Sequence, residues 1–108
     1  MNILFICTAN RDRSKTAEHI FRIKYPDYNF MSAGINQEMC LTYRGVYVEY
    51  QMCLKADKIY CMENLHAQYL LREFGSQIIQ KIEILEIEDN EEYMSDKLIK
   101  ELELKFKI

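Results

Sequence analysis

The chain has 108 residues, of which 49% are hydrophobic and 29% charged, the make-up of one small folded domain rather than a disordered segment. Fourteen Lys and Arg against 17 Asp and Glu give a net charge of −3, which excludes broad nucleic-acid binding through a basic face. No apolar run approaches the roughly 20 residues of a membrane-spanning helix, and Met1–Ile6 has no basic stretch ahead of its short apolar run, so neither a membrane partner nor a secretory signal is expected.

Cys7, Cys40, Cys53 and Cys61 are irregularly spaced, and His19 and His66 stand alone. That pattern suits neither a disulfide scaffold nor a zinc site, so reduced thiols, no metal and a cytoplasmic location are expected. With three Gly and one Pro in the whole chain, no segment has linker composition, and residues 1–108 read as a single domain.

In chain order, Asn2–Ile6 reads as a short buried strand. Ala17, Ile20, Phe21 and Tyr25 recur at helical spacing, which predicts a helix from Ser14 to Lys24 closed by Pro26. A second strand is expected at Asn29–Ser32. The Tyr- and Met-rich stretch from Ile35 to Lys55 is the least legible; a helix over Gly45–Leu54 is expected, with Tyr43, Tyr47 and Tyr50 read as a face packing on the sheet. Asp57–Met62 reads as a third strand and Leu65–Phe74 as a helix ended by Gly75. Ile82–Ile87 reads as a fourth strand, followed by an acidic loop over 88–95. A final helix spans Asp96–Lys105, with Ser95 as N-cap and Leu98, Ile99, Leu102 and Phe106 inward. Four alternations of strand and helix predict an α/β fold: a single three-layer domain, a four-stranded parallel sheet with helices on both faces. Ligands in such folds sit at the carboxyl ends of the strands.

The loop after the first strand is Cys7-Thr8-Ala9-Asn10-Arg11-Asp12-Arg13, followed by Ser14 and the helix. A short strand-to-helix loop can turn its backbone N–H groups inward as an anion nest, and the helix N-terminus adds partial positive charge. The Arg13 fork can grip two oxygens of a phosphate or another oxyanion. Cys7 at the base of that cradle would be held as a thiolate, placed to attack phosphorus. Ser14 could donate a hydrogen bond to its sulfur, and Asn10 tolerates left-handed backbone angles. Thr8, Ala9, Asn10, Arg11, Asp12 and Ser14 are therefore the candidate substrate-binding residues.

The opening run Ile3–Ser14, with Cys7, five residues, Arg13 and Ser14 after a strand, resembles the low-molecular-weight protein tyrosine phosphatases. Ser32-Ala33-Gly34-Ile35, the segment Ala56–Met62 and Lys81–Leu85 with its acidic loop extend the resemblance over most of a chain that is shorter than typical members. The resemblance implies attack by Cys7 on a phosphotyrosine protein or small aryl phosphate, through a phospho-cysteine, with Arg13 and the loop N–H groups holding the oxygens and no cofactor. A carboxylic acid then protonates the phenolate.

This sequence departs from the family in lacking an Asp-Pro pair, since Pro26 is its only proline. Asp89, directly after the fourth strand, is the first candidate for the acid, and Asp96 the second. Asp12 stands where many members carry a second loop cysteine, and Lys15 where many carry proline. Tyr93 is a candidate aromatic wall, while His19 and His66 read as exposed helix surface, with His66 the one that could approach the cradle. Cys40, Cys53 and Cys61 read as small buried hydrophobes. Two alternatives stay open: a phosphate-binding or phospho-cysteine carrier module without turnover, and an arsenate reductase-like enzyme, disfavoured because no cysteine follows Met62.

Overall fold

The computed structural model describes all 108 residues, Met1–Ile108. The strand β1 (Asn2–Cys7) is apolar almost throughout because it is buried on both faces. It pairs in parallel with β2 (Asn29–Gly34) on one side and β3 (Lys58–Cys61) on the other, and β4 (Ile82–Ile84) adds to β3. The sheet order is β2-β1-β3-β4. The chain leaves β1 first toward one edge and then returns to its other side. The loops after β1 and β3 therefore diverge at the switch point where ligands bind in open parallel sheets.

The period of two along β1 divides the core. Ile3, Phe5 and Cys7 face α1 (Arg13–Lys24) and the last helix, while Leu4 and Ile6 face the opposite layer. On the first face, Phe5 meets Phe21, Phe30, Tyr60 and Phe106 at centroid distances of 5.2–6.0 Å. On the second face, Val48, Cys53, Ala67, Leu70 and Ile78 cover the sheet. The three-layer parallel architecture expected from the alternation of elements is thus the observed one.

The middle segment differs from expectation. Instead of one helix over 45–54, it forms α2 (Gln37–Thr42) and α3 (Tyr50–Lys55). Arg44 adopts a left-handed φ of 59° between them, and Tyr47 bridges to Gly34. The three tyrosines therefore share no helix face. Tyr43 follows α2, Tyr47 pairs its hydroxyl with that of Tyr69, and Tyr50 opens α3 beside Phe74. Glycine is required twice here. A Cβ at Gly34 would lie 2.6 Å from Thr8 O, and one at Gly45 would lie 2.6 Å from Ala9 O. Both glycines let the chain press against the back of the loop after β1.

The helix α4 (Asn64–Phe74) leads through a 3-10 turn at Ser76–Lys81 into β4. As a regular strand β4 stops at Ile84, short of the expected 82–87, because Glu86 takes a left-handed φ of 59°. Leu85 and Ile87 still donate backbone hydrogen bonds to Cys61 and Met62 and remain buried. The helix α5 (Asp96–Lys105) begins where expected, with the Ser95 side chain accepting from Leu98 N–H. No helix is long and apolar enough to cross a membrane.

Phe106, just beyond α5, is 1% exposed and stands edge-on to both Phe5 and Tyr60. Phe106→Ala would remove that side chain from the centre of the first core face. It is expected to destabilise the fold by about 3–5 kcal/mol, read as a lowered urea midpoint with an unchanged slope.

Candidate active site

The loop between β1 and α1 is held open by its own side chains. Asn10 sits at a left-handed φ of 52°, which Asn accepts more readily than most residues. Its Oδ1 accepts from Val46 N–H at 2.8 Å, and its amide nitrogen donates to Ser14 Oγ at 2.8 Å and Ser32 Oγ at 2.9 Å. Ser32 in turn donates to Glu18 Oε1 at 2.5 Å, and Glu18 pairs with Arg22. Both amide hydrogens of Asn10 are thus spent as donors. Ser14 Oγ accepts one of them, and its own hydrogen faces two acceptors, the Cys7 sulfur at 2.9 Å and the Ala33 carbonyl at 3.4 Å, of which the sulfur is the nearer. The expected Ser14–Cys7 contact is present, and the chain of donors runs toward the sulfur.

The main-chain N–H groups of Ala9, Asn10, Arg11 and Asp12 donate to no acceptor in the protein. A loop of unpartnered backbone donors at the start of a helix is an anion nest. A cavity of about 80 Å³ opens above it, lined by Cys7, Thr8, Ala9, Arg11, Asp12, Arg13, Met39, Tyr43 and Asp89. Of the expected binding residues, Thr8, Ala9, Arg11 and Asp12 line this cavity, while Asn10 and Ser14 are wholly buried behind it. Tyr43, read from sequence as a packing residue, instead stands at the cavity mouth, with the Arg11 guanidinium 4.3 Å over its ring.

Arg13 is 2% exposed. Its Nη1 donates to Glu63 Oε2 at 2.5 Å and to Ile87 O at 2.8 Å. Its Nη2 reaches Thr8 Oγ1 at 3.4 Å, and its Nε lies 3.8 Å from Asp89 Oδ1. With Nη1 occupied by protein acceptors, the Nε–Nη2 edge is the one that can grip an oxyanion in bidentate fashion. Of the two candidate acids, Asp89 lines the cavity, 60% exposed, whereas Asp96 lies in the first turn of α5, where its charge favours the helix dipole. Tyr93 does not line the cavity around Cys7. It borders an adjoining cleft with Arg11, Asp12, Lys15 and Glu92.

Sequence reasoning missed Glu63 and misplaced His66. His66 is fully buried rather than on the helix surface. Its Nδ1 accepts from Glu63 N–H at 3.0 Å, so the proton sits on Nε2, which donates to Thr8 Oγ1 at 2.9 Å. Thr8 Oγ1 thus accepts from both His66 and Arg13, which frees its own hydrogen for the cavity. The Glu63 side chain also accepts from the His66 backbone, closing a capping box at the start of α4. The legible signal was the spacing: Glu63 and His66 stand three apart directly after β3, on the far side of the switch point, and His66 stands four before buried Leu70.

The other thiols are unlike Cys7 in setting. Burial pushes Cys61 up to about 12 and Cys53 up to about 11, and burial followed by the nearby Cys7 charge raises Cys40. All three are buried, as their reading as small hydrophobes requires.

Burial, and then the charge of Arg13, lower His66 from 6.5 to about 3. The unfolded chain therefore binds a proton near pH 6.5 that the folded chain refuses. Stability is full above that pH and falls as the pH drops from 6.5 toward 3. Urea unfolding at pH 7.5 and pH 4.5 is expected to show a loss of a few kcal/mol on acidification. Much of that loss should disappear in His66→Gln, and the native imidazole should remain in the Nε2–H tautomer by nitrogen NMR down to pH 4.5.

No protein-family model matches the sequence, and no curated protein matches it. The fold has solved counterparts. The tyrosine phosphatase Wzb from Escherichia coli, solved with phosphate, aligns over 96% of this chain and 91% of its own, with a TM-score of 0.75 at 21% identity. The YwlE arginine phosphatase from Geobacillus stearothermophilus aligns over 95% and 86%, with a TM-score of 0.72 at 20% identity. A low-molecular-weight protein tyrosine phosphatase from Streptococcus pyogenes aligns over 78% and 71%, with a TM-score of 0.65 at 17% identity. The chain has the fold of the low-molecular-weight protein tyrosine phosphatases.

Proposed function

We propose that this protein is a cysteine-dependent phosphomonoesterase that acts on phosphotyrosine or a similar aryl phosphate. The observation that carries the reading is the placement of Cys7 under a nest of unpartnered N–H donors. Ser14 Oγ lies 2.9 Å from its sulfur, and Arg13 and Asp89 stand on the cavity wall. In the first step the Cys7 thiolate attacks phosphorus as the bond to the phenolic oxygen breaks, and the proton of the Asp89 carboxyl passes to that oxygen. The Nε–Nη2 edge of Arg13 and the loop N–H groups, from Thr8 to Ser14, hold the charge that spreads over the equatorial oxygens. In the second step Asp89, now a carboxylate, takes a proton from water as its oxygen attacks phosphorus; the sulfur–phosphorus bond breaks, Cys7 leaves as thiolate and inorganic phosphate is released. No cofactor enters either step.

The mouth favours an aryl group over a guanidinium. Solved proteins of this fold include both tyrosine and arginine phosphatases. Here Arg11 lies over Tyr43, presenting a positive charge and an aromatic face together. A phenyl ring can pack on the outer plane of that guanidinium, and its positive charge disfavours a second guanidinium beside it. The expected setting is a reduced, cytoplasmic one.

The test is hydrolysis of para-nitrophenyl phosphate, phenyl phosphate and phosphoarginine by the native chain and by Cys7→Ser, Arg13→Ala, Asp89→Asn and Asp96→Asn. Cys7→Ser is expected to abolish turnover. Asp89→Asn should lower kcat for phenyl phosphate by about 10²–10⁴, with Asp96→Asn close to native. Acid quenching should trap a phosphoryl group on Cys7. Phosphate retained without turnover would replace the enzyme by a carrier, and faster hydrolysis of phosphoarginine would overturn the aryl preference.

A further inference from the structure

The loop that carries Asp89 contains no proline, since Pro26 is the only one in the chain. Two non-glycine residues turn the loop through left-handed angles, Glu86 with φ 59° and Met94 with φ 61°. The Asp89 carboxylate, 60% exposed, has Arg13 Nε at 3.8 Å as its ionic partner, so little at Asp89 itself fixes where that carboxylate points. Its position is set by what holds the two ends of the loop.

The near end is held by the sheet and by Arg13: Ile87 N–H donates to Met62 O at 2.7 Å, and Ile87 O accepts from Arg13 Nη1 at 2.8 Å. The far end is held by one face of α1. Asp12 Oδ1 accepts from Tyr93 N–H at 2.9 Å, and Thr16 Oγ1 accepts from Met94 N–H at 2.9 Å. The Tyr93 hydroxyl bonds His19 Nδ1 one turn further along. Residues 12, 16 and 19 fall on a single stripe of a helix, so the end of the loop lies along α1 as a strap. Asp12 precedes the first residue of α1, where an aspartate ordinarily caps the helix with its own carboxylate. Here it makes no such cap bond, and its Oδ1 goes to the loop instead. A carboxylate beside a phosphate nest would repel the ligand, so a side-chain grip on substrate does not account for it.

We propose that Asp12 and Thr16 are positioning residues, which fasten the far end of the late loop to α1 and so hold Asp89 on the leaving-group side of the cradle. The proposal rests on the reading of Asp89 as the general acid. Released from Tyr93 and Met94, the loop samples other courses, and the carboxyl spends less time within proton-transfer distance of the departing oxygen. In the first step the deficit then falls on substrates whose leaving group needs a proton and spares those whose leaving group departs as a stable anion.

The experiment compares kcat/KM, which reports formation of the phospho-cysteine and not its hydrolysis, for phenyl phosphate, a poor leaving group, with kcat/KM for 2,4-dinitrophenyl phosphate, a good one. The variants are Asp12→Ala, Asp12→Asn, Thr16→Val, Asp89→Asn and the Asp12→Ala/Asp89→Asn double variant. Asp12→Ala should lose about tenfold or more on phenyl phosphate beyond any loss on the dinitrophenyl ester. Asp12→Asn keeps an oxygen that accepts from Tyr93 N–H and should recover most of that rate. Thr16→Val leaves the nest untouched and should shift the ratio in the same direction. The double variant should be no slower on phenyl phosphate than Asp89→Asn alone, and amide exchange at Tyr93 and Met94 should quicken in Asp12→Ala. Equal losses on both esters, or losses that multiply in the double variant, overturn the proposal. If Asp89→Asn shows the leaving-group dependence and neither Asp12→Ala nor Thr16→Val does, the positioning role alone falls. If Asp89→Asn shows none, the assignment of the acid falls and the positioning role with it.

Discussion

The cradle depends on one side chain, that of Asn10. It occupies a backbone angle that most residues avoid, and it joins three parts of the chain that are distant in sequence: Ser14 on α1, Ser32 on β2 and Val46 beyond α2. A loop of unpartnered N–H groups is electrostatically unfavourable in the absence of an anion, because the donors repel one another. Asn10 braces that loop from behind by bonding it to α1, β2 and the segment after α2, with no charge of its own. The same residue sets the sense of the hydrogen bonds that reach Cys7: Val46 N–H holds its Oδ1, so its amide hydrogens go to Ser14 and Ser32, and Ser32 gives its own hydrogen to the Glu18 carboxylate.

Much of this was legible in the residues. β1 reads from its apolar run, and the nest from the Cys7–Ser14 run directly after it, because buried parallel strands are nearly uniform in character and phosphate-binding loops use few residue types. The segment from 35 to 55 resisted reading for a physical reason. Its two helices are six residues each, less than two turns, so no amphipathic period can develop, and Arg44 turns the chain between them without a glycine. Tyr43 therefore carried no sign that it would reach the cavity mouth. The end of β4 was blurred similarly: Leu85 and Ile87 alternate and stay buried, yet Glu86 between them leaves the strand geometry. His66 was misread because a polar residue in a helix suggests solvent. Its partners, Glu63 and Thr8, lie on two different loops that only the strand order brings together.

Arg13 and His66 show how a buried cation is accommodated. The guanidinium is almost wholly enclosed, and Glu63 neutralises it from the side away from the cavity. The neighbouring imidazole stays neutral because a second positive charge there would have to be desolvated next to the first. Glu63 and His66 thus form one unit: the first holds the arginine plane, and the second, through Thr8, steadies the rim of the nest. Both are presented by the N-terminus of α4, so the loop after β3 contributes as much to the geometry of the site as the loop after β1.

The acidic run of the late loop has a kinetic side. Asp89 lines the cavity and Glu92 the cleft beside it, on a chain whose net charge is already −3. At long range the net negative charge repels anions, while within a few ångströms the unpartnered N–H groups and Arg13 attract them. Encounter and capture are therefore governed by opposite signs of potential. Counter-ions that screen the outer field leave the enclosed inner one nearly intact. Moderate salt would hasten arrival without loosening the grip, the reverse of what a basic, steering surface shows. A ligand whose phosphate is carried beside positive side chains would cross that outer barrier more easily than a bare monoester of the same shape.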